Sequence, residues 1–446
     1  MKGGAAMGIN SLTFLYFFLP AALIIFNLAP KKIKSPVLAM ISGGFVYLFQ
    51  PELFWILILD LIILFLISEG LCRFENAKSK KILFSFGIIL NIGAILTASL
   101  SNQLSGRFAP FGIMVISFTA IGYFVDIYKG ETKPIRSFAD FVVFMAFFGK
   151  LFRGPLVRTN SIQKLPSWDK FSISETGSGL YLFIRGLAKY VVLALTLVSL
   201  HETLVAANAN EPSVIGAWLD MIVFSMMIFF DLSGFCDMAR GLGRCFGMDL
   251  PKNFYFPFQS PLVADFLDRF NMTVTGFFRH YVYDVLRNDK NSKPQFIVNT
   301  FLITMLCGIW FGIRMNYIFW GIYIAVFIII EEFFLRKLLL KIPRIFARGY
   351  TFAVTMFSMT IFSATESSTI VPTFKAMFGV GTSLITDEIS YIVSQNVLVL
   401  IGGIFFLTSA FSLAVRFISK KAPRIYGVFA VIESAVLLAL ITANLI

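Results

Sequence analysis

The chain has 446 residues, of which 57% are hydrophobic and only 14% charged. A soluble domain carries about a quarter charged residues, so this composition excludes a soluble enzyme, a disordered protein and a secreted disulfide scaffold. Lys and Arg number 38 against 25 Asp and Glu; in so apolar a chain that excess belongs to cytoplasmic loops facing anionic membrane lipids, with no nucleic-acid partner.

The apolar runs predict membrane helices over 12–29, 37–49, 53–70, 83–100, 109–125, 180–200, 214–233, 296–311, 317–333, 351–363, 393–415 and 425–444. Some are shorter than the ~20 residues a bilayer requires, which predicts kinked or partial spans. The runs are too long and unbroken for the alternation of a barrel. The first holds Pro20 and precedes further spans without a small-residue cleavage site, so it reads as a span and not a signal peptide. The fold class is therefore all-α, a polytopic membrane protein of twelve spans plus re-entrant segments. With no internal repeat or linker, residues 1–446 read as one domain.

Loop charges set the expected orientation. Lys31, Lys32 and Lys34 follow the first span, Arg73, Lys78, Lys80 and Lys81 the third, and Lys129, Lys133 and Arg136 the fifth. The turn at Gln50-Pro51-Glu52 and the segment from His201 to Ser213 carry no Lys or Arg. Basic loops in the cytoplasm then place both termini of this multi-pass cell-membrane protein outside.

Two stretches do not read as simple spans. Residues 138–155, with Lys150, Arg153, Gly154 and Pro155, suggest a segment that enters and returns. Residues 236–295 mix Gly, Pro and aromatics with charges from Asp237 and Arg240 to Asp284 and Arg287. They read either as a cytoplasmic loop with interfacial helices or as a cavity-lining region, since charged backbone at membrane depth needs protein or water around it. Asp231 ends an apolar run and faces a cavity or an interface; Arg314 sits in an outer turn or lines a tunnel. Glu331 and Glu332, just before Arg336 and Lys337, read as a solvated helix end.

Generic chemistry is sparse. The four cysteines have no metal spacing and read as packing residues. With two histidines, His201 and His280, a histidine metal cluster is excluded. Gly241-Leu242-Gly243 and Gly379-Val380-Gly381 lack the rest of a nucleotide fingerprint and read as turns or close-packing spots. No cofactor and no metal are expected.

The ordered motifs are more telling. Phe14-Leu15-Tyr16-Phe17-Phe18-Leu19-Pro20 opens the chain, followed by Ser117-Phe118-Thr119-Ala120-Ile121-Gly122-Tyr123 and Gly149-Lys150-Leu151-Phe152-Arg153-Gly154-Pro155. Then come Phe230-Asp231-Leu232-Ser233-Gly234-Phe235-Cys236-Asp237, Pro251-Lys252-Asn253-Phe254, Phe278-Arg279-His280-Tyr281 and Gly308-Ile309-Trp310-Phe311-Gly312. In this order and spacing the chain resembles the membrane-bound O-acyltransferase family, in the bacterial branch of alginate O-acetylation and teichoic-acid D-alanyl transfer proteins.

The resemblance implies a helical bundle around a central tunnel. An acyl group would pass from a cytoplasmic thioester donor, such as an acyl carrier protein, to a hydroxyl of an extracytoplasmic glycopolymer, with a separate extracytoplasmic acyltransferase as partner. It implies tunnel or substrate-binding roles for Asp231, Ser233, Asn271, Arg279, Tyr281, Trp310 and Phe311. A hydroxyl needs a positioned base, most often His. Yet the positions where this branch carries histidines hold Phe311, Asn271 and Ile324, and its Arg-Asp-Tyr motif reads Arg279-His280-Tyr281. Phe311 cannot accept a proton, and the Asn271 amide is not a base near neutral pH. His280 is the candidate catalytic residue as a relocated base, or else a polar cavity residue. An active acyltransferase, a catalytically inactive scaffold or carrier-binding module, and a transporter stand as the alternatives.

Overall fold

The structure, a computed structural model, describes residues 8–105, 112–158, 172–283, 292–364 and 366–446. Asp284, Arg287 and the opening of the predicted span 109–125 lie outside them. Among the described residues no β-strand forms. The helices are α1 (Phe14–Leu28), α2 (Lys34–Phe49), α3 (Pro51–Arg73), α4 (Ala77–Ser105), α5 (Ile113–Lys129), α6 (Phe138–Ala146), α7 (Phe148–Leu151), α8 (Ile173–Asn210) and α9 (Val214–Cys245). They continue as α10 (Val263–Arg269), α11 (Met272–Phe278), α12 (Lys293–Ile309), α13 (Met315–Lys341), α14 (Arg344–Ser363), α15 (Ile370–Met377), α16 (Asp387–Leu407), α17 (Ala410–Lys421) and α18 (Pro423–Leu445).

Eight of these, α3, α4, α8, α9, α13, α14, α16 and α18, are long and apolar enough to cross a bilayer. They carry eight of the twelve predicted spans. The remaining four fall on α1, α2, α5 and α12, whose apolar lengths stop short of a full crossing. Two boundaries differ from expectation. Helix α9 runs past 233 to Cys245, because Asp237 and Arg240, on one face at i and i+3, pair at 3.4 Å and let the helix carry its charges. It stops before Gly247, whose φ is +74°. The predicted span 393–415 breaks at Thr408, where the backbone extends, and continues as the separate helix α17 with no buried residue.

The described residues form two compact units. The first comprises Met1–Leu187, Phe235–Lys252 and Leu445–Ile446. Its core packs Tyr123 and Phe124 of α5 with Phe141 and Met145 of α6 and Leu64 of α3. The Tyr123 hydroxyl accepts the Ile135 N–H at 2.7 Å and ties α5 to the loop before α6. A second layer is aromatic: Phe14, Phe18, Phe45 and Phe148 stack ring against ring at 5.3–6.2 Å. Helices α8 and α9 touch backbone to backbone, and a Cβ on Gly241 would lie 2.5 Å from the Phe183 nitrogen. That glycine therefore marks a close-packing spot, whereas Gly379 and Gly381, both at positive φ, form a turn in the second unit.

Residues 138–155 form a broken helix. α6 is capped by the Ser137 hydroxyl, which accepts the Asp140 N–H at 3.3 Å. The backbone extends at Phe147, resumes as α7 and turns at Arg153, whose φ is +50°. Lys150 is 1% exposed; its ammonium donates to the Phe144 carbonyl and lies over the Phe144 ring at 5.2 Å. Of the cysteines, Cys236, Cys245 and Cys307 are buried as expected of packing residues, but Cys72 is exposed at the end of α3.

The second unit comprises Ala188–Gly234 and Asn253–Asn444. Helices α12 and α13 pack closely as a hairpin, and α14 returns along α13. The start of α9 is held by Val214 N–H to Ser383 carbonyl and Ile215 N–H to Leu384 carbonyl, both 3.0 Å. Trp218 Nε1 donates to the Met377 carbonyl at 3.1 Å. Burial falls off sharply among the apolar helices: half of α14 is buried, but only 6% of α18. Side chains such as Leu398 and Val431 stand exposed, a surface that an aqueous protein does not keep and a bilayer covers.

Candidate acyl-transfer site

The turn after α12 carries Trp310 and Phe311. It is tight by necessity: a Cβ on Gly308 would sit 2.2 Å from the Tyr317 carbonyl oxygen. Trp310 N–H donates to the Leu306 carbonyl and Phe311 N–H to that of Gly308, so helical bonding runs into the turn. Trp310 and Phe311 are both half-buried. The Phe311 ring meets Phe362 edge-on at 5.0 Å and lies 6.3 Å from Tyr317. Phe362 also contacts Tyr317 at 4.7 Å and Trp320 at 5.7 Å, and its carbonyl, at the end of α14, accepts Asn316 Nδ2 at 2.7 Å. Arg314 sits in the turn before α13, at the cap of that helix. Ile324, on α13, is fully buried.

Asn271 lies at a second junction. The strand-like pieces around Phe254 and Phe270 pair antiparallel, and Asn271 follows in the left-handed conformation at φ +56°. Its side-chain oxygen accepts Asn253 Nδ2 at 2.7 Å, while Asn253 Oδ1 accepts the Thr273 N–H and hydroxyl, both at 2.8 Å. The amide is thus committed to holding α11 against the preceding loop. Arg279, exposed, binds Asp268 at 2.6 Å. His280 and Tyr281 follow in one turn of π-helix, their rings 4.8 Å apart, with Tyr281 also against Phe277 at 4.6 Å.

Glu331 corrects an expectation. It is 2% exposed, not solvated, and its carboxylate accepts the N–H groups of Val263 at 2.7 Å and Ala264 at 3.3 Å, at the start of α10. Glu332 is exposed and pairs with Arg336. These groups line a cavity of about 320 Å³ together with Arg279, Thr300 and Thr304. Arg279 is the sequence-predicted site residue found among its lining. Asp231 and Ser233 lie on α9; Asp231 is half-buried, and the Ser233 hydroxyl is buried without a hydrogen-bond partner among the described residues.

Sequence reasoning missed a pair. His201 Nδ1, on α8, lies 2.6 Å from Asp220 Oδ1, on α9. Asp220 is 7% exposed, and the His201 ring rests against Phe224 at 5.1 Å. Phe224 in turn contacts Phe362 at 6.4 Å, so the pair adjoins the aromatic cluster that holds Phe311. The missed signal was Asp220 itself, a carboxylate inside the predicted span 214–233, because an ionisable group at that depth demands a partner.

With this geometry in hand, the chain can be compared with known proteins. The family model for membrane-bound O-acyltransferases matches residues 131–367, more than half of the chain. The protein belongs to the membrane-bound O-acyltransferase family. Among its relatives, a probable alginate O-acetylase of Pseudomonas aeruginosa is 29% identical over 273 residues, covering 61% of this chain and 52% of that protein. A peptidoglycan O-acetyltransferase of Helicobacter pylori is 23% identical over 427 residues, covering 84% of this chain and 80% of the relative. A teichoic acid D-alanyltransferase of Bacillus subtilis is 28% identical over 234 residues, covering 50% and 59%. The chain spans about half the length of several of the relatives it matches.

The three positions at which the resemblance leads to an expectation of histidine hold other residues. Phe311 sits in an aromatic cluster, Asn271 in a hydrogen-bonded junction and Ile324 in the core. The matched region also holds both histidines, His280 and, by contact with Phe224, the neighbourhood of Phe311 holds His201. An imidazole whose Nδ1 is fixed on a carboxylate presents Nε2 as a proton acceptor, the chemistry a hydroxyl nucleophile requires.

Proposed function

We propose that the protein is the membrane component of an O-acyl transfer system that esterifies hydroxyls of an extracytoplasmic glycopolymer. The family match carries this reading, because the relatives are named as a probable alginate O-acetylase, a peptidoglycan O-acetyltransferase and a teichoic acid D-alanyltransferase. The donor is a thioester on the cytoplasmic side, carried by an acyl carrier protein or a similar cofactor-bearing partner. In the step itself the acceptor oxygen attacks the thioester carbonyl, a C–O bond forms and the C–S bond breaks. The hydroxyl proton passes to a base, and the leaving thiolate takes a proton to become a thiol. The reading includes a tunnel lined by Asp231, Ser233, Asn271, Arg279, Tyr281, Trp310 and Phe311, one domain over 1–446 with twelve spans, both termini outside, and a separate extracytoplasmic transferase. In this reading His280 is either a relocated base or a polar residue of the cavity.

A second reading has one observation in its favour: the three positions expected to hold histidines are all filled by packed, bonded residues. A chain that had given up proton transfer while keeping its fold would show this, and would serve as a scaffold or carrier-binding module. Deleting the gene and quantifying base-labile acyl groups on the envelope polymers tests the system-level claim. Loss of those esters, restored by the intact gene, is the expected result; unchanged acylation would overturn it.

A further inference from the structure

We propose that His201, oriented by Asp220, is the catalytic base of this protein, taking the proton from the acceptor hydroxyl at Nε2. The inference rests on the acyl-transfer reading above and assigns its proton acceptor. Four observations carry it. First, the two side chains come from different helices and meet at 2.6 Å, Nδ1 to carboxylate. Second, Asp220 is nearly buried, and among the described residues it makes no hydrogen bond or ion pair besides that to His201. A buried carboxylate in an apolar helix needs a donor, and the tautomer that serves Asp220 donates from Nδ1 and keeps Nε2 as the acceptor. No hydrogen bond is made to Nε2 among the described residues.

Third, a chain of ring contacts links the dyad to the turn where the resemblance expects a histidine. His201 lies on Phe224, Phe224 on Phe362, and Phe362 on Phe311. Phe311 has filled the expected place with an apolar ring, and a histidine–carboxylate pair stands at the other side of the same cluster. Fourth, His201 begins the stretch to Ser213 that holds no Lys or Arg; loop charges predict an outer position for it, the side on which the acyl-transfer reading puts the acceptor. The step balances within the proposal: as the acceptor oxygen forms its bond to the acyl carbon, its proton moves to Nε2. The imidazolium then returns that proton to the thiolate released when the C–S bond breaks. The carboxylate of Asp220 fixes the ring and stabilises the transient imidazolium without itself taking the proton.

The test uses the full chain in proteoliposomes with acyl carrier protein charged with labelled acetyl or D-alanyl groups and a glycopolymer acceptor. His201→Gln and Asp220→Asn are compared with the unsubstituted chain, with His280→Ala alongside and folding checked by thermal melting. The expected result is a fall in kcat of about 10²–10⁴-fold in His201→Gln with KM little changed, and partial rescue of His201→Gly by added imidazole, which a purely structural role would not give. Carbethoxylation by diethyl pyrocarbonate, mapped by mass spectrometry, reads access to Nε2 without turnover, and His201 is expected to react. Transfer retained in His201→Gln, or activity lost only in His280→Ala, would overturn the base while leaving acyl transfer intact. An unreactive His201 in the folded chain would overturn it too. No transfer by the unsubstituted chain from either thioester would overturn the acyl-transfer reading itself, and the base with it.

Discussion

At Phe311 an apolar ring lies edge-on to Phe362, and at Asn271 an amide is spent on Asn253. Both residues were legible in the sequence as departures from a family pattern. What they do instead was not, because each role depends on partners distant in the chain. Phe311→His removes the edge-on ring contact with Phe362, and an aromatic pair of this kind is worth about 0.5–1.5 kcal/mol; thermal melting in detergent is expected to show a lower Tm. At Asn271 the hydrogen bond and the left-handed backbone separate cleanly. Asn271→Gly and Asn271→Ala both lose the bond, but only alanine adds the penalty of positive φ, roughly 1–2 kcal/mol. The alanine variant is therefore expected to melt lower than the glycine variant, and equal melting would show that the conformation carries no cost. The pair His201 and Asp220 was readable only in half: Asp220 advertised a need for a partner, but nothing in the spacing named His201.

Among the elements, helix positions followed from the apolar runs and their ends did not. A run of apolar residues identifies a span, but α9 continued through Asp237 and Arg240 because those charges satisfy one another along the helix. Glu331 was misread for a similar reason. Its neighbours Arg336 and Lys337 suggested solvent, while the groups it serves, the N–H groups of Val263 and Ala264, lie 68 and 67 residues away. Glu331→Ala leaves both donors without an acceptor in a buried place, and each such loss costs about 1–3 kcal/mol. A fall in melting temperature larger than that of Glu332→Ala, which removes only a surface pair, is expected. The α12–α13 hairpin is equally demanding. Gly308→Ala drives a methyl into the Tyr317 carbonyl, and overpacking of this kind costs about 1–3 kcal/mol; melting at the unsubstituted temperature would show that the turn can open.

For the molecule as a whole, composition alone placed the chain in a membrane, and eight of the predicted spans fall on helices long and apolar enough to cross one. The orientation rests on loop charges, and Cys72 offers a native probe of it. It is exposed at the end of α3 beside Arg73, on the side assigned to the cytoplasm, while Cys236, Cys245 and Cys307 are buried. A membrane-impermeant maleimide is expected to label Cys72 in inside-out vesicles and not in intact cells; labelling from outside would reverse the topology. That topology matters to the proposed transfer, which puts donor and acceptor on opposite faces of the bilayer. The most direct measurement places both at opposite faces of sealed proteoliposomes, with the labelled acyl thioester at the cytoplasmic face and the glycopolymer at the other. The account predicts that label accumulates as polymer-bound ester only when the protein is present. Polymer that stays unlabelled, with the protein folded and the thioester intact, would contradict it.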